Sequence, residues 1–345
     1  MSQTTSVLPT RRSVLKGAAA SMAASITAPA IVRAQPVRRL PKPIIAGLNG
    51  KAGDPTFESI ARIAPILREK FNVEADIQVH PSSTLGSDTQ QLEAVQIGTI
   101  DITSNTTAQF TSFSDAFSFV GLPYAITSWE MYERLAKSDL WKQQAAKFEA
   151  KTPLKVLPPV AGGGFRLLSN NKRAVPTPAQ ADGLKFRCTN SPLEIALLRA
   201  WGINPSPMAW TETYNALASH VVDGILVQPI WTYQFNMYEA LKYATEVGAI
   251  FAVQFQVMNA DTWKAMPPDI QQAFMAAAQQ AADEANRQDH DAENVFKGKL
   301  KDKGLEIYTP TAAEKALWQK PGEALWDTAG KGIDRDVIKA MIALR

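Results

Sequence analysis

Arg187 is the residue of this sequence best placed to do chemistry, and that chemistry is the binding of an anion. In GLKFRCTNSP, residues 183–192, apolar residues alternate with Lys185 and Arg187, which predicts a half-buried strand. A guanidinium presents a planar pair of donors that meets a carboxylate with two parallel hydrogen bonds. The polar Thr189 and Asn190 follow at the start of a predicted helix, where free N–H groups favour anions. A surface salt bridge is the alternative role for Arg187.

Three further side chains are candidates for the walls of such a site. Arg166 follows Gly164-Phe165 and is a second basic candidate, with a purely structural ion pair as its alternative. Trp210 stands just before a predicted helix and Trp231 just after a predicted strand, which is where the walls of clefts form. For both tryptophans, burial in the hydrophobic core is the alternative interpretation.

The sequence contains no pattern typical of catalysis, nucleotide binding or metal binding. His80, His220 and His290 lie on different predicted elements without metal-ligand spacing, and no Gly-x-Ser-x-Gly elbow occurs. The glycines at 162–164 lack the Gly-Lys-Ser/Thr ending of a phosphate loop and indicate a hinge or turn. Cys188, the only cysteine, alternates with apolar neighbours and is predicted to be a small core residue. We therefore predict a protein that is not an enzyme and uses no cofactor or metal.

The first half of the chain alternates predicted strands and helices. Strands are predicted at 44–48, 75–79 and 101–103, with a helix between each pair. This β-α-β-α-β order implies parallel pairing, with helices on the faces of the sheet. Ligands bind such sheets beyond the carboxyl ends of the strands, and the residues there are small and polar. They are Asn49, Ser82, Ser83 and residues 104–107.

The second half repeats this alternation and ends in a long helix. Its strands are predicted at 165–169, 184–188, 222–227 and 250–258, and its shorter helices at about 191–201 and 211–219. From Pro268 to about Gly304, an Ala-rich apolar stripe after a Pro-Pro start predicts one continuous helix. At ~1.5 Å per residue this helix would reach about 50 Å, which is long enough to brace two lobes.

The chain length of 345 residues exceeds what one compact core usually holds, so we predict two lobes of α/β class. Lobe I is predicted to comprise residues 36–162 plus about 250–290. Lobe II is predicted to comprise residues 163–249 plus about 291–345. Crossings of the chain near 162 and 250 would join the lobes through several segments, which favours a hinge over a flexible tether.

Residues 1–34 have the features of a cleaved export signal. A twin arginine, Arg11-Arg12, precedes an Ala-rich apolar run that is shorter than the roughly 20 residues of a membrane span. Val32-Arg33-Ala34 resembles a cleavage site, so cleavage is predicted near Ala34. Residues 1–34 carry four basic residues and no acid, so their removal changes the net charge from +3 to −1. Without a basic surplus, no nucleic-acid partner is predicted.

Four motifs together resemble those of one protein family. They are HPSSTLGSDTQQLEAVQIGTIDI, GLPYAI, GLKFRCTNSP and MAWTETYNALASHVVDG. In this order and spacing they resemble the DctP-like solute-binding proteins of TRAP transporters (tripartite ATP-independent periplasmic transporters), over nearly the whole mature chain. The resemblance implies a two-lobed periplasmic binding protein fold, with lobes joined by several crossings and braced by the long C-terminal helix. It also implies a periplasmic, monomeric protein that closes over a small organic acid and delivers it to membrane permease subunits.

The resemblance assigns roles to particular residues. The arginine with which the family grips a carboxylate corresponds, in G-L-K-x-R, to Arg187. Asn190 matches a polar ligand contact, and Trp210 stands where an aromatic residue lines the pocket. Asn49 matches a contact from the first lobe, and Arg166 resembles a second basic contact of some members.

Departures from the family pattern indicate the kind of ligand. The chain has Ile225-Leu226-Val227 before Gln228, where members that bind polyhydroxylated acids commonly have polar residues. On the first-lobe wall it has Asn105-Thr106-Thr107 and Gln109, where charged side chains can occur. We therefore predict a monocarboxylate with an apolar or aromatic body. The expected ligand-binding residues are Arg187, Arg166, Asn190, Trp210, Asn49, Asn105, Thr106, Gln228 and Trp231.

Two other classes of function remain open on the sequence alone. A secreted α/β enzyme would need a paired catalytic constellation and would turn over its ligand. A stand-alone sensory or scavenging binding protein would have no permease partner, and neighbouring genes for a small and a large membrane subunit would decide that case.

Overall fold

The structure is a computed structural model that describes Ser2 and residues 37–345. The predicted export signal and its cleavage near Ala34 therefore lie outside the described residues. Residues 37–345 form one compact unit built on two six-stranded sheets. Among the helices of this unit we find none with the length and hydrophobicity of a membrane span.

The strands are short, apart from one of nine residues. In chain order they are β1 (Arg38–Arg39), β2 (Ile44–Leu48), β3 (Val73–Glu74), β4 (Ile77–His80), β5 (Ile102–Thr106), β6 (Leu154–Val156), β7 (Val160–Phe165), β8 (Leu167–Asn170), β9 (Lys185–Cys188), β10 (Asn204–Pro207), β11 (Gly224–Val227), β12 (Tyr243–Thr245), β13 (Phe251–Asn259) and β14 (Glu306–Tyr308).

The α-helices lie between the strands and at the C-terminal end. They are α1 (Pro55–Ala61), α2 (Ile63–Phe71), α3 (Asp88–Ile97), α4 (Trp129–Lys137), α5 (Asp139–Lys151), α6 (Pro178–Ala181), α7 (Pro192–Ala200), α8 (Trp210–Ala218), α9 (Pro229–Gln234), α10 (Ala260–Lys264), α11 (Pro268–Asp302), α12 (Ala312–Glu323) and α13 (Arg335–Ile342).

The first sheet has the strand order β4-β2-β5-β13-β6, and β7 also pairs with β13. Strand β2 runs parallel to β4 and β5, as the β-α-β-α-β order predicts. Strand β13 runs antiparallel to β5, β6 and β7. Parallel pairing brings the ends of β2 and β5 to one edge, so Asn49 and Asn105 become neighbours there.

The second sheet has the strand order β10-β9-β11-β8-β12-β14. Strand β9 runs parallel to β10 and β11, whereas β8 runs antiparallel to β11 and β12. In β9, Phe186 and Cys188 pack in the core of this sheet, and Arg187 lies between them on the other face. The period-2 pattern therefore places Arg187 as the sequence predicts.

The chain passes between the two sheets at Arg166. The single strand predicted at 165–169 is in fact two strands, because β7 pairs with β13 in the first sheet and β8 pairs with β11 in the second. The chain returns to the first sheet between β12 and β13. Gly163 lies in β7 with φ +106°, and a Cβ atom there would stand 2.6 Å from Ile230 Cγ2. The close packing explains the glycine at 163, and the three glycines lie inside strand β7, so the hinge or turn stays a prediction.

Helix α11 contains 35 residues and contacts both halves of the unit. It packs against α1, α2 and β7 on one side of the crossing and against α9 on the other. Its buried stripe includes Ile270, Phe274, Ala277, Ala281 and Ala285, which is the apolar face that the sequence predicts. The two-lobed α/β fold with a long C-terminal brace is confirmed.

The C-terminal segment after α11 contacts both halves as well. Helix α12 packs against α7, and α13 packs against α5. Val337, Ile338 and Met341 of α13 belong to the core that also contains Phe255 of the first sheet. The residue boundaries of the two lobes stay a prediction.

Candidate ligand-binding site

A cavity of about 30 Å³ lies between the two sheets, next to the crossing at Arg166. Polar strand-end residues of the first sheet form one wall, and β9, β11 and the following helices of the second sheet form the other. The lining residues are Asn49, Asp88, Asn105, Thr106, Gln109, Arg166, Arg187, Thr189, Trp210, Leu226, Val227, Gln228, Trp231 and Gln254.

Arg187 is a buried cation in the wall of this cavity, with 4% of its surface exposed. Its Nη2 donates to the carbonyl oxygen of Met208 at 3.0 Å, and its guanidinium carbon lies 5.6 Å from the ring centre of Trp210. Within residues 37–345, no carboxylate lies at ion-pair distance from it, and its Nε has no hydrogen-bond partner. Burial lowers the pKa of Arg187, an effect that the charges of Glu194 and Asp88 oppose. A buried cation without an ion-pair partner is stabilised by an anion that binds beside it.

Arg166 is buried too, but it already has a carboxylate partner. Its Nη1 donates to Glu194 Oε1 at 3.2 Å. The other oxygen, Glu194 Oε2, accepts from the backbone N–H of Thr189 at 3.2 Å and from the Thr189 hydroxyl. Arg166 Nε lacks a partner in the part of the chain that the structure describes. Arg166 thus has a carboxylate at ion-pair distance, whereas Arg187 has none among residues 37–345.

A hydrogen-bonded network of the first sheet faces this arginine pair. Asn49 Nδ2 donates to Asp88 Oδ1 and to Asn105 Oδ1, both at 2.6 Å. Gln109 Nε2 donates to Asp88 Oδ2 at 3.1 Å, and the Ser83 hydroxyl donates to Asn49 Oδ1 at 3.3 Å. Burial raises the pKa of Asp88, and the positive charge of Arg187 is the main effect that opposes the rise. The network fixes the position of one buried carboxylate inside the cavity.

The remaining wall is largely apolar and aromatic. The ring centres of Trp210 and Trp231 are 4.7 Å apart at an interplanar angle of 60°, and Phe235 packs behind them at 5.0 Å from Trp210. Leu226 and Val227 end strand β11 beside these rings. This wall suits the carbon skeleton of a small ligand.

Gln228 and Thr106 connect the cavity to its surroundings. Gln228 Nε2 donates to the carbonyl oxygen of Gly162 at 2.6 Å, which ties the lining to the glycine segment of β7. The Thr106 hydroxyl oxygen is buried and makes no hydrogen bond to another described residue. The cavity therefore offers further polar atoms besides the two arginines.

The structure brings most of the predicted site residues together. Arg187, Arg166, Trp210, Asn49, Asn105, Thr106, Gln228 and Trp231 all line the cavity. Asn190 does not, because β9 ends at Cys188, the Thr189 hydroxyl binds Glu194, and Asn190 is exposed to solvent. Whether any of these residues contacts a ligand stays a prediction.

Two of the lining residues, Asp88 and Gln254, were given no role in the site from the sequence, and Thr189 was not in the expected ligand-binding set. Asp88 was not recognised because an acidic residue that follows a serine is common in the first turn of a helix. Thr189 was noted only as a helix-start polar group. Gln254 interrupts the otherwise apolar start of β13, and a buried amide in such a strand is a signal that could have found it.

The histidines and the cysteine lie in ordinary structural surroundings. The ring of His290 stacks on Trp129 at 4.7 Å, and Nδ1 of His220 contacts Asn171 at 3.0 Å. Burial raises the pKa of Cys188 to about 12, which is typical of an unreactive core thiol. Across residues 37–345 we find no group of histidine, cysteine and carboxylate side chains arranged to hold a metal ion.

Comparisons with known proteins point to one family. The family described as bacterial extracellular solute-binding protein, family 7 (DctP), matches residues 46–331. The C4-dicarboxylate-binding periplasmic protein DctP of Rhodobacter capsulatus is 27% identical, over 93% of this chain and 97% of that protein. The 2,3-diketo-L-gulonate-binding periplasmic protein YiaO of Escherichia coli (strain K12) is 27% identical, over 80% and 84%.

A solved structure has the same fold. The TRAP periplasmic solute-binding protein of Sulfurospirillum deleyianum DSM 6946, with bound succinate, superposes with a TM-score of 0.82 at 24% identity. The match covers 88% of this chain and 98% of that one.

Proposed function

The chain belongs to family 7 of the bacterial extracellular solute-binding proteins, and on that premise we propose that it captures a small organic carboxylate through Arg187 and delivers it to the membrane permease of a TRAP transporter. The capture takes place in the periplasm, where the two relatives named above work. The protein serves transport and has no catalytic role of its own.

The observation that carries this proposal is the state of Arg187. It is a buried cation at a cavity between two sheets, without an ion-pair partner among the described residues. Removing a guanidinium from water costs on the order of several kcal/mol unless an anion and hydrogen bonds compensate for that cost. A ligand carboxylate supplies both, because it accepts two parallel hydrogen bonds from the planar donors of the guanidinium.

The rest of the cavity supports a ligand with an apolar or aromatic body. Trp210, Trp231, Leu226 and Val227 offer carbon surface on the side of the second sheet. The carboxylate then contacts Arg187, and polar groups from both sheets surround it. Because the cavity measures about 30 Å³, about the room of one or two water molecules, its walls must move apart to admit such a ligand.

A thermal-shift screen of the purified protein against organic acids, amines and neutral compounds tests this proposal. A ligand at about 100 times its dissociation constant adds roughly 2.7 kcal/mol of stability, which raises the melting temperature by several degrees. We expect carboxylates to give the shift. A shift caused by amines or neutral compounds but by no acid would contradict the proposal.

A further inference from the structure

We propose that Lys51 controls how fast the bound ligand leaves, because its side chain joins the two halves of the molecule beside the cavity. This inference goes beyond the proposed function, which concerns the capture of the ligand by Arg187. Lys51 is not among the residues that line the cavity, so we treat it as a positioning residue that acts through the cavity walls.

Lys51 belongs to the half that contains the first sheet, and its side chain contacts the half that contains the second sheet. It lies in the loop between β2 and α1, and its Nζ donates to the carbonyl oxygen of Gln234 at 2.5 Å. The same Nζ lies 4.9 Å from the ring centre of Phe235. Lys51 and Gln234 are 183 positions apart in the sequence, so this contact exists only where the fold brings the two halves together.

The C-terminal end of α9 provides a favourable place for this cation. Gln234 is the last residue of α9, and the final carbonyl oxygens of a helix have no partner within the helix. A positive charge is stabilising there, because the partial charge of a helix C-terminus is negative. The ring of Phe235 adds a cation–π contact to the same ammonium group. Lys51 therefore makes two attractive contacts with one segment of the opposite half.

The backbone around Lys51 is fixed to the first half. The N–H of Asp54 donates to the carbonyl oxygen of Lys51 at 3.1 Å, and the N–H of Ser82 donates to that of Gly50 at 2.8 Å. A Cβ atom at Gly50 would stand 1.9 Å from Asp54 Oδ2, so the loop is closely packed as well. Because this backbone is held by its own half, separation of the two halves breaks the contacts of the Lys51 side chain.

The Lys51 contact is connected to both walls of the cavity. Asn49, two residues before Lys51, lines the wall of the first sheet. The ring centre of Phe235 lies 5.0 Å from that of Trp210 and 5.6 Å from that of Trp231, and both tryptophans line the opposite wall. A cavity of about 30 Å³ has to widen before a ligand leaves it. Loss of the Lys51 contact should therefore make this widening, and with it the release of the ligand, faster.

An ordinary surface lysine is the competing explanation. Lys242 shows what such a residue looks like: it is exposed, and its Nζ lies 5.3 Å from the ring centre of its sequence neighbour Tyr243. That contact stays within one half of the molecule. Lys51, in contrast, is half-buried, and its two partners lie in the other half. Lys242→Met is therefore a matched control for Lys51→Met.

The test measures the dissociation rate of a bound acid from wild type, Lys51→Met, Lys51→Arg and Lys242→Met by stopped-flow fluorescence. The probes are succinate, butanoate and 3-phenylpropanoate, and the fluorescence of Trp210 and Trp231 reports release. Lys51→Met keeps the apolar stem but removes the charge and the donor, so the dissociation rate should rise about tenfold. Lys51→Arg keeps a cation that can donate to the carbonyl oxygen and lie over the ring, and its rate should stay within about threefold of wild type. Lys242→Met should release the acid at the wild-type rate.

The outcomes separate this inference from the proposed function. Equal dissociation rates in wild type and Lys51→Met would overturn the role of Lys51 and leave the proposed function intact. A rise that Lys51→Arg or Lys242→Met shares would overturn it too. If none of the three acids binds, the failure concerns the ligand class of the proposed function, and small-angle X-ray scattering of the ligand-free protein decides about Lys51. A larger radius of gyration in Lys51→Met, but not in Lys242→Met, would then support the inference, and an unchanged one would overturn it.

Discussion

Two buried arginines of the same cavity have different surroundings, and so we assign them different roles. Arg166 has an ion-pair partner in Glu194, which also holds Thr189 in place. Arg187 has one carbonyl partner and an aromatic ring, and no carboxylate at contact distance in residues 37–345. We therefore interpret Arg166 as a residue that shapes the cavity and Arg187 as the residue that receives the ligand.

The ion pair of Arg166 and Glu194 leads to a prediction about stability. Glu194→Gln keeps the shape of the side chain but leaves Arg166 as an unpaired buried cation, so the free energy of unfolding should fall by about 3–5 kcal/mol. Urea denaturation of the ligand-free protein measures this change. The control is Asp139→Asn, which breaks an exposed pair with Lys142 and should cost less than about 1 kcal/mol. Equal losses in both variants would contradict the assignment.

Secondary-structure elements also hold the site in place, and helix α11 is an example. Asp289 of α11 is 1% exposed, and it accepts a hydrogen bond from the backbone N–H of Gly163 in β7. Burial, with smaller contributions from the charges of Asp54 and Glu293, raises the pKa of Asp289 to about 7. Burial likewise raises the pKa of Asp54, at the start of α1, to about 7.

These raised pKa values predict a fall in stability as the pH rises. An unfolded aspartate has a pKa of about 3.9, so between about pH 4 and 7 the folded protein binds more protons than the unfolded chain. The free energy of unfolding must therefore decrease over that range and level off above about pH 7. Carboxylates with lowered pKa values, such as Glu246 and Glu284, act in the opposite direction below about pH 4.5, outside this window.

Asp289→Asn tests the contribution of that carboxyl group. The amide oxygen can still accept from Gly163, but the group no longer titrates, so the variant should lose less stability between pH 5 and pH 8 than wild type. Urea denaturation at the two pH values gives the comparison. Identical losses in wild type and variant would show that Asp289 does not titrate in this range.

The sequence predicts helices and strands correctly where local residue patterns determine them. The strand at 44–48 and the helix that begins at Pro268 agree with the structure, because alternation and an apolar stripe are local signals. The division between β7 and β8 at Arg166 was missed, since it depends on pairing with β13 and β11, which are distant in the sequence. Asp88 and Gln254 were missed for other reasons: Asp88 has the pattern of an ordinary helix start, and the signal of a buried amide in an apolar strand was not used for Gln254.

At the scale of the whole molecule, the family and the two-lobed fold agree with the sequence-based prediction. The cavity lies where the chain passes between the sheets, and α11 contacts both halves beside it. Gln228 links the lining to Gly162 in the crossing segment, so movement at the crossing and the shape of the cavity are connected. We expect the halves to separate when a ligand enters and to close over it. The monomeric state and the permease partner remain predictions.

The most direct test of the central claim uses the acid that raises the melting temperature most in the thermal-shift screen. Titration calorimetry measures the affinity of wild type and of Arg187→Ala for that acid. Deleting one partner of a buried charge pair costs roughly 3–5 kcal/mol, so the variant should bind more than about a hundredfold more weakly. Arg187→Lys should also bind poorly, because an ammonium lacks the planar fork. Arg199→Ala, at an exposed arginine of α7, should bind like wild type. Wild-type affinity in a folded Arg187→Ala variant would contradict the account.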